Sequence, residues 1–269
     1  MQTIKGLCGE NEMFRTLSVD ERWKVVDLFK KHRPNSLIET ILEGNSGVVI
    51  VDDPDKPTLA QLAYRGSVVY GGDANHPLAE ELVKDFPINR GVSSLPKAWR
   101  DLVRSIHGDN ITTLERMTFY TQYLDVDHLQ KLEQTLSSTF EVRKIDIELA
   151  TQITTTQNSA FPHQMIYFNS VEDFVNHGVG YCILTDGKVV SVASSTDKIS
   201  DNGIDVQIDT HPDFRNRGLA TIVCATLLRY CLEHDIEPHW STTTNDSRRV
   251  AEKLGYKYKD KYEVLVRTQ

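Results

Sequence analysis

Four cysteines in 269 residues are too few to brace a chain of this length, and Cys8, Cys182, Cys224 and Cys231 contain no Cys-x-x-Cys pair. A disulfide scaffold is therefore excluded, and Cys224 and Cys231, seven apart in one expected helix, read as small buried hydrophobes. A reducing, cytoplasmic setting is the corresponding expectation. No apolar run reaches the 18 residues that a membrane helix needs, and residues 1–10 are too polar for a secretory core, so no membrane partner is expected. Glycine-rich phosphate motifs are missing as well. Neither Gly-x-x-x-x-Gly-Lys-Ser/Thr nor Gly-x-Gly-x-x-Gly occurs. Metal-ligand spacing is also lacking: His211, His234 and His239 fall in one stretch without it, and the Asp52-Asp-Pro-Asp55 turn lacks the twelve-residue calcium pattern. No metal is expected. Positive charge is in deficit, with 30 Lys and Arg against 38 Asp and Glu and a formal charge of -8. That balance argues against a nucleic-acid partner, yet a local arginine cluster can still hold an anionic ligand.

What is present is ordinary globular composition, 39% hydrophobic and 25% charged, in a length that accommodates two cores. Residues 19–43 read as two short helices interrupted near Pro34 and Asn35. Strands are expected at 47–51, 58–64 and 67–70, helices at 77–86 and 97–107, and a strand at 112–120. A helix at 127–136 leads to a strand at 140–146. The helical stretch between 147 and 178 has no sharp boundaries. Strands at 180–184 and 188–194 flank Asp186-Gly187, a strong hairpin signal. A strand at 204–209 then gives way to a helical period at Leu219, Ile222, Val223, Leu227, Leu228 and Cys231. The remainder reads as a strand at 236–242, a helix at 246–254 and a final hairpin through 262–266.

The sharpest chemical signal is the run Thr210-His-Pro-Asp-Phe-Arg-Asn-Arg-Gly-Leu-Ala-Thr221. A strand ends, Arg215 and Arg217 occupy a short loop, and Gly218 opens a helix. The first N–H groups of a helix lack internal acceptors, and the helix dipole adds partial positive charge there. Glycine lets a ligand approach the backbone, and arginine grips phosphate oxygens bidentately. With the Thr221 hydroxyl, these groups form a socket for a diphosphate. By spacing alone, the same residues also fit a solvated loop that merely begins a helix.

The strand, the Arg215-Asn-Arg-Gly-Leu-Ala220 loop and the apolar helix resemble the acyl-CoA-binding motif of the GCN5-related N-acetyltransferase (GNAT) superfamily, Gln/Arg-x-x-Gly-x-Gly/Ala. Trp240 and Ser247-Arg-Arg-Val-Ala-Glu-Lys-Leu-Gly-Tyr256 resemble its following strand and helix. The likeness covers residues 140–269. The two-part layout is similar to bacterial members related to zwittermicin A resistance proteins. The resemblance implies a mixed α/β fold with a splayed central sheet at 136–269, preceded at 1–135 by an accessory, degenerate acyltransferase-like α+β domain or a partner-binding module. It implies acetyl-CoA as co-substrate and a small-molecule amine as acceptor. Arg215, Asn216, Arg217, Gly218, Leu219, Ala220 and Thr221 would hold the pyrophosphate, and Ile208, Asp209 and Thr210 would line the pantetheine arm. Ser247 matches the small residue early in the following helix.

Two positions depart from the family pattern. The asparagine that often faces the cofactor is replaced by Thr244, a good helix cap, with Asn245 one place later to take the polar role. The tyrosine that commonly protonates the leaving thiolate is replaced by Ala251. An alternative reading follows: a CoA-binding or regulatory protein that keeps the fold without turnover. For the proton-accepting base, Asp205, Gln207 and Asp209 alternate onto one strand face, and Asp205 lies about where the superfamily often carries an acidic base. His211, able to titrate near neutrality, is a second candidate, with loop anchoring beside Pro212 as its other role. Tyr181, Tyr256 and Tyr258 are candidate hydroxyl donors. The acceptor's identity and the oligomeric state are left open by the sequence.

Overall fold

The computed structural model describes residues 13–32, 36–43, 46–64, 67–88, 91–92, 95–155, 160–200 and 203–269. Cys8, Pro34, Asn35 and the amino-terminal residues 1–10 lie outside them. The chain divides into two compact units, residues 1–114 with 262–269, and residues 115–261. The boundary expected at 135/136 falls inside the second unit.

The first unit runs through β1 (Arg15–Thr16), a 3-10 helix (Val19–Phe29), α1 (Ser36–Leu42), β2 (Val48–Val51), β3 (Leu59–Tyr64), β4 (Ser67–Gly72), α2 (Ala79–Val83), β5 (Gly91–Val92), α3 (Lys97–His107) and the start of β6 (Ile111–Tyr120). Strands β1 to β4 pair antiparallel in sequence order. All six residues of β3 are buried, so that strand is covered on both faces. The Asp52–Asp55 segment is a turn: the Asp52 carboxylate accepts from the Thr58 and Leu59 N–H groups at 2.9 Å, and Asp53 accepts from Asp55 N–H at 2.8 Å. Those carboxylates are occupied by the backbone that they shape. Arg22, 4% exposed, donates to the carbonyls of Ser46 and Gly47 at 2.7 and 2.8 Å, tying the 3-10 helix to the entry of β2.

The second unit contains the rest of β6, then α4 (Val126–Glu133), β7 (Glu141–Lys144), α5 (Ile147–Thr155), α6 (Val171–His177), β8 (Gly180–Thr185), β9 (Lys188–Ser195), β10 (Ile204–Thr210), α7 (Leu219–Glu233), β11 (Pro238–His239), β12 (Ser241–Thr242), α8 (Asn245–Leu254) and the start of β13 (Lys257–Arg267). Its sheet runs β11-β10-β9-β8-β7, antiparallel except for the parallel pair β10–β11. Asp186 and Gly187, both at positive φ, make the tight turn between β8 and β9. Helix α7 is apolar almost all round and is buried accordingly, packing on one face of the sheet together with Ile183, Ala193, Trp240 and Tyr256. The opposite face carries a second core from α5, α6 and the segment between them, with Phe161, Phe168, Phe174 and Val192. The mixed α/β fold is as expected.

Two expectations are corrected. The strand at 236–242 breaks at Trp240 into β11, which pairs with β10, and β12, which pairs with β6 through Ser241↔Thr118. The final hairpin is one continuous strand: residues 257–267 contain no glycine, proline or asparagine to turn the chain, and Thr118 Oγ donates to the Asp260 carbonyl at 3.3 Å midway. No described helix is long and apolar enough to cross a membrane.

Candidate active site

Strand β10 is paired on both edges only at its start. Its ladder with β11 ends after Ile204↔Pro238 and Asp205↔His239, while its ladder with β9 continues to Thr210. The hydrogen bonds fix which backbone groups face the opening. Ile204 N–H donates to the Glu237 carbonyl on the β11 side at 2.9 Å, whereas the Asp205 carbonyl and His211 N–H are taken up on the β9 side. By the alternation of an antiparallel strand, Val206, Ile208 and Thr210 turn their backbone groups toward the side that β11 has left. The main chain of Asp209 faces β9 instead, so of the Ile208, Asp209 and Thr210 triplet it is Ile208 and Thr210 whose backbone faces the opening, with the Ile208 carbonyl 3.4 Å from Gln207 Nε2 and the Thr210 carbonyl also accepting from Arg215. An extended strand with one open edge is a template for another extended amide chain.

At the end of this strand the chain makes a short 3-10 turn, Pro212–Phe214, capped by His211, whose Nδ1 accepts from Asp213 N–H at 3.3 Å. His211 thus anchors the loop. Asn216 (φ 61°) and Gly218 (φ 79°) are both left-handed, a conformation that asparagine tolerates and glycine adopts freely. Gly218 is the cap of α7, and a Cβ placed on it would meet nothing within 4 Å. Among the described residues, the N–H groups of Asn216, Arg217, Gly218, Leu219, Ala220 and Thr221 find no acceptor. This row of donors lies at the positive end of a fifteen-residue helix. Arg215 and Arg217 are exposed and tethered to the loop: Arg215 Nε donates to the Thr210 carbonyl, and Arg217 donates to the Asp213 carbonyl, both at 3.2 Å. The Arg217 guanidinium also lies 5.0 Å from the Phe214 ring centroid.

Across the opening, Trp240 sits between β11 and β12, 3% exposed, with its ring 5.5 Å from that of Tyr256. Its Nε1–H is buried without an acceptor among the described residues. Thr244 caps α8 by accepting from Ser247 N–H at 3.3 Å, which leaves exposed Asn245 and half-buried Ser247 in the first turn. Ala251 is fully buried in the α7 core, and the Tyr256 hydroxyl is spent on the Pro238 carbonyl at 2.7 Å. Tyr181 packs beside Tyr230 at 6.0 Å between centroids, and Tyr258 is half exposed.

The face of β10 turned away from α7 carries Asp205, Gln207 and Asp209, as their spacing requires. Asp205 lies where the strand is still held on both edges, and Asp209 lies on the stretch held on one. Gln164, in the segment between α5 and α6, donates from Nε2 to Asp209 Oδ2 at 2.9 Å, and Gln207 donates to the same oxygen at 3.5 Å. Ser194 on β9, fully buried, donates to Gln164 Oε1 at 2.6 Å. Burial raises the Asp209 carboxyl above its ordinary range, against the opposing effect of these amides, His163 and Arg215. Gln164 and Ser194 were not singled out from the sequence. The available signal was serine at 191, 194 and 195 within an otherwise apolar strand, where buried hydroxyls need partners. Cys182 and Cys231 have thiols pushed up to about 12 by burial, and Cys224 is displaced the same way, which leaves all three inert. The described residues contain no group of three or more His, Cys, Asp or Glu able to hold a metal.

The sequence pattern of the GNAT acetyltransferase family matches residues 26–265. A GCN5-related N-acetyltransferase-like protein from Streptococcus suis is 30% identical in sequence, with a TM-score of 0.75 over 92% of this chain and 98% of that one. The uncharacterized N-acetyltransferase YdfB of Bacillus subtilis is 28% identical over 168 residues, which span 62% of this chain and 61% of that relative. A tandem GNAT protein from the clavulanic acid biosynthesis pathway shares the fold at 12% identity, with a TM-score of 0.56 over 95% of this chain and 98% of its own. With a family pattern spanning both units, this chain belongs to the GNAT acetyltransferase family.

Proposed function

We propose that the protein transfers an acetyl group from acetyl-CoA to the amine of a small, hydrophilic molecule. The observation that carries this reading is the continuity of β10's open edge with the row of free N–H groups at Asn216–Thr221. An amide-bearing arm that ends in a diphosphate would meet complementary groups along one path. The room at Gly218 and the unsatisfied Trp240 indole are consistent with such an occupant. When bound, acetyl-CoA supplies an activated acyl carbonyl whose C–S bond breaks as the new C–N bond forms. The chain's part is to hold the diphosphate at the loop, align the arm on Val206 and Ile208, exclude water and receive the amine proton. Arg215, Asn216, Arg217, Gly218, Leu219, Ala220 and Thr221 would hold the diphosphate. Asn245 and Ser247, in the first turn of α8, would face the cofactor from the other side.

The acidic balance of the chain and its second α+β unit support a cationic acceptor, such as an amino sugar or an aminated natural product. We assign the first unit the role of a degenerate acyltransferase-like module. A second reading, CoA binding without turnover, is favoured by Ala251 and by the engaged Tyr256 hydroxyl, which leave the thiolate without an evident tyrosine donor. Titration calorimetry with acetyl-CoA tests both readings, and absence of binding at about millimolar cofactor would overturn them together. Protein-dependent release of free thiol across a panel of amines would then exclude the second.

A further inference from the structure

We infer that Asp209 is the group that takes the amine proton, and that Gln164, itself oriented by Ser194, is the positioning residue that holds this carboxylate in place. The inference rests on the acyl-transfer reading above and goes further by assigning the proton's path. Three candidates share the neighbourhood, and geometry separates them. His211 uses Nδ1 to cap the Pro212–Phe214 turn. Asp205 lies where β10 is clamped between β9 and β11. Asp209 lies on the half-open stretch, one residue beyond the Ile208 backbone that faces the opening.

The supporting chain is directional. A carboxylate only accepts, and a serine hydroxyl has one proton to give. The ionised Asp209 carboxylate can take only the Nε2 end of the Gln164 amide, which leaves Oε1 for the buried Ser194 hydroxyl, 2.6 Å away and also 3.2 Å from the Ser195 carbonyl. The Nε2 end lies 2.9 Å from Asp209 Oδ2. Gln164 is 5% exposed and cannot swing out to water. This arrangement engages one carboxylate oxygen and leaves the other for a proton. In the step itself, the substrate ammonium N–H bond breaks, an O–H bond forms at Asp209, and the nitrogen lone pair is freed to attack. The proton then leaves to water. Titratable groups facing Asp209 come from two segments: His163 beside Gln164, and Arg215 after β10, both favouring the charged form. On the same face its neighbour strand β9 brings Val192 and Ser194, neither of them titratable, and β10 itself brings Asp205 and Gln207.

Two measurements test this. The first follows the side-chain carboxyl 13C resonances of aspartate-labelled protein against pH, without substrate, with Asp209 assigned by its loss in Asp209→Asn. Gln164→Met should raise the Asp209 midpoint by about one unit, because a hydrogen bond to the charged form is lost, and Ser194→Ala should raise it in the same direction by freeing the Gln164 amide to turn. Ser194→Thr, which keeps the hydroxyl, should restore it. The second is the pH profile of kcat/KM. Asp209→Asn should lower it about a hundredfold at neutral pH, and Ser194→Ala should move the acidic limb upward with the resonance. Unmoved midpoints in both positioning variants would overturn the orienting role. A limb abolished by Asp205→Asn instead of Asp209→Asn would assign the proton to Asp205. The resonance titration needs neither acetyl-CoA nor turnover, whereas calorimetry alone decides cofactor binding, so failure of one reading is distinguishable from failure of the other.

Discussion

Arg217 and Gly218 are neighbours in the same loop, yet they contribute through different physics. Arg217 is exposed, tethered to the Asp213 carbonyl and stacked on Phe214, so its charge reaches a ligand through screening water. Gly218 sets the direction of several N–H donors at once by holding φ near 79°. A valine there carries a left-handed penalty of about 1–2 kcal/mol and fills the space that a ligand would use. Gly218→Val is therefore expected to weaken acetyl-CoA binding by about tenfold or more, and Arg217→Ala by about fivefold or less. Dissociation constants of the two folded variants decide the matter, and a reversed order would show that side-chain charge dominates. At this scale the loop was legible in the sequence because strand end, arginines, glycine and helix follow one another directly. The Gln164–Asp209 contact was not, because it joins residues 45 apart through a segment whose helices had no clear limits.

Helix α8 shows what an element can disclose and conceal. Its cap at Thr244 and its end at Gly255, left-handed at φ 105°, follow from residue type alone. The side on which Ala251 would fall depends on packing. It proves to be fully buried among the α7 residues, so the position usually given to a tyrosine is here part of the core. Ala251→Tyr is accordingly expected to destabilise the fold by about 1–3 kcal/mol through overpacking and to bring no gain in turnover. Urea denaturation with an acetylation assay checks both parts, and a stable, faster variant would contradict the packing argument. Strand periodicity located β8, β9 and β10 within a residue or two, since alternation and the Asp186-Gly187 turn are local signals. It failed at 257–267 and around Trp240, where pairing with β6 determines the outcome and no local feature records it.

The whole chain carries a formal charge of -8, and its field extends beyond any single contact. If that field draws in a cationic acceptor, raising salt from about 0.01 M to 0.5 M should increase KM for such an amine several-fold, because the screening length falls below about 10 Å. An uncharged control acceptor should show little change, and steady-state kinetics with both amines tests the contrast. Equal responses would remove electrostatics from acceptor choice. The chain's path has a different consequence. The first unit includes residues 262–269, where Leu265 pairs with Val92, Glu263 bridges Arg100 and Arg104, and Thr268 N–H reaches the Asn110 carbonyl. During synthesis, then, the half that leaves the ribosome first is the half that must wait longest. Residues 1–114 emerge with an edge unfilled, while residues 115–261 form a contiguous stretch that can close before them. The order of completion runs against the order of translation.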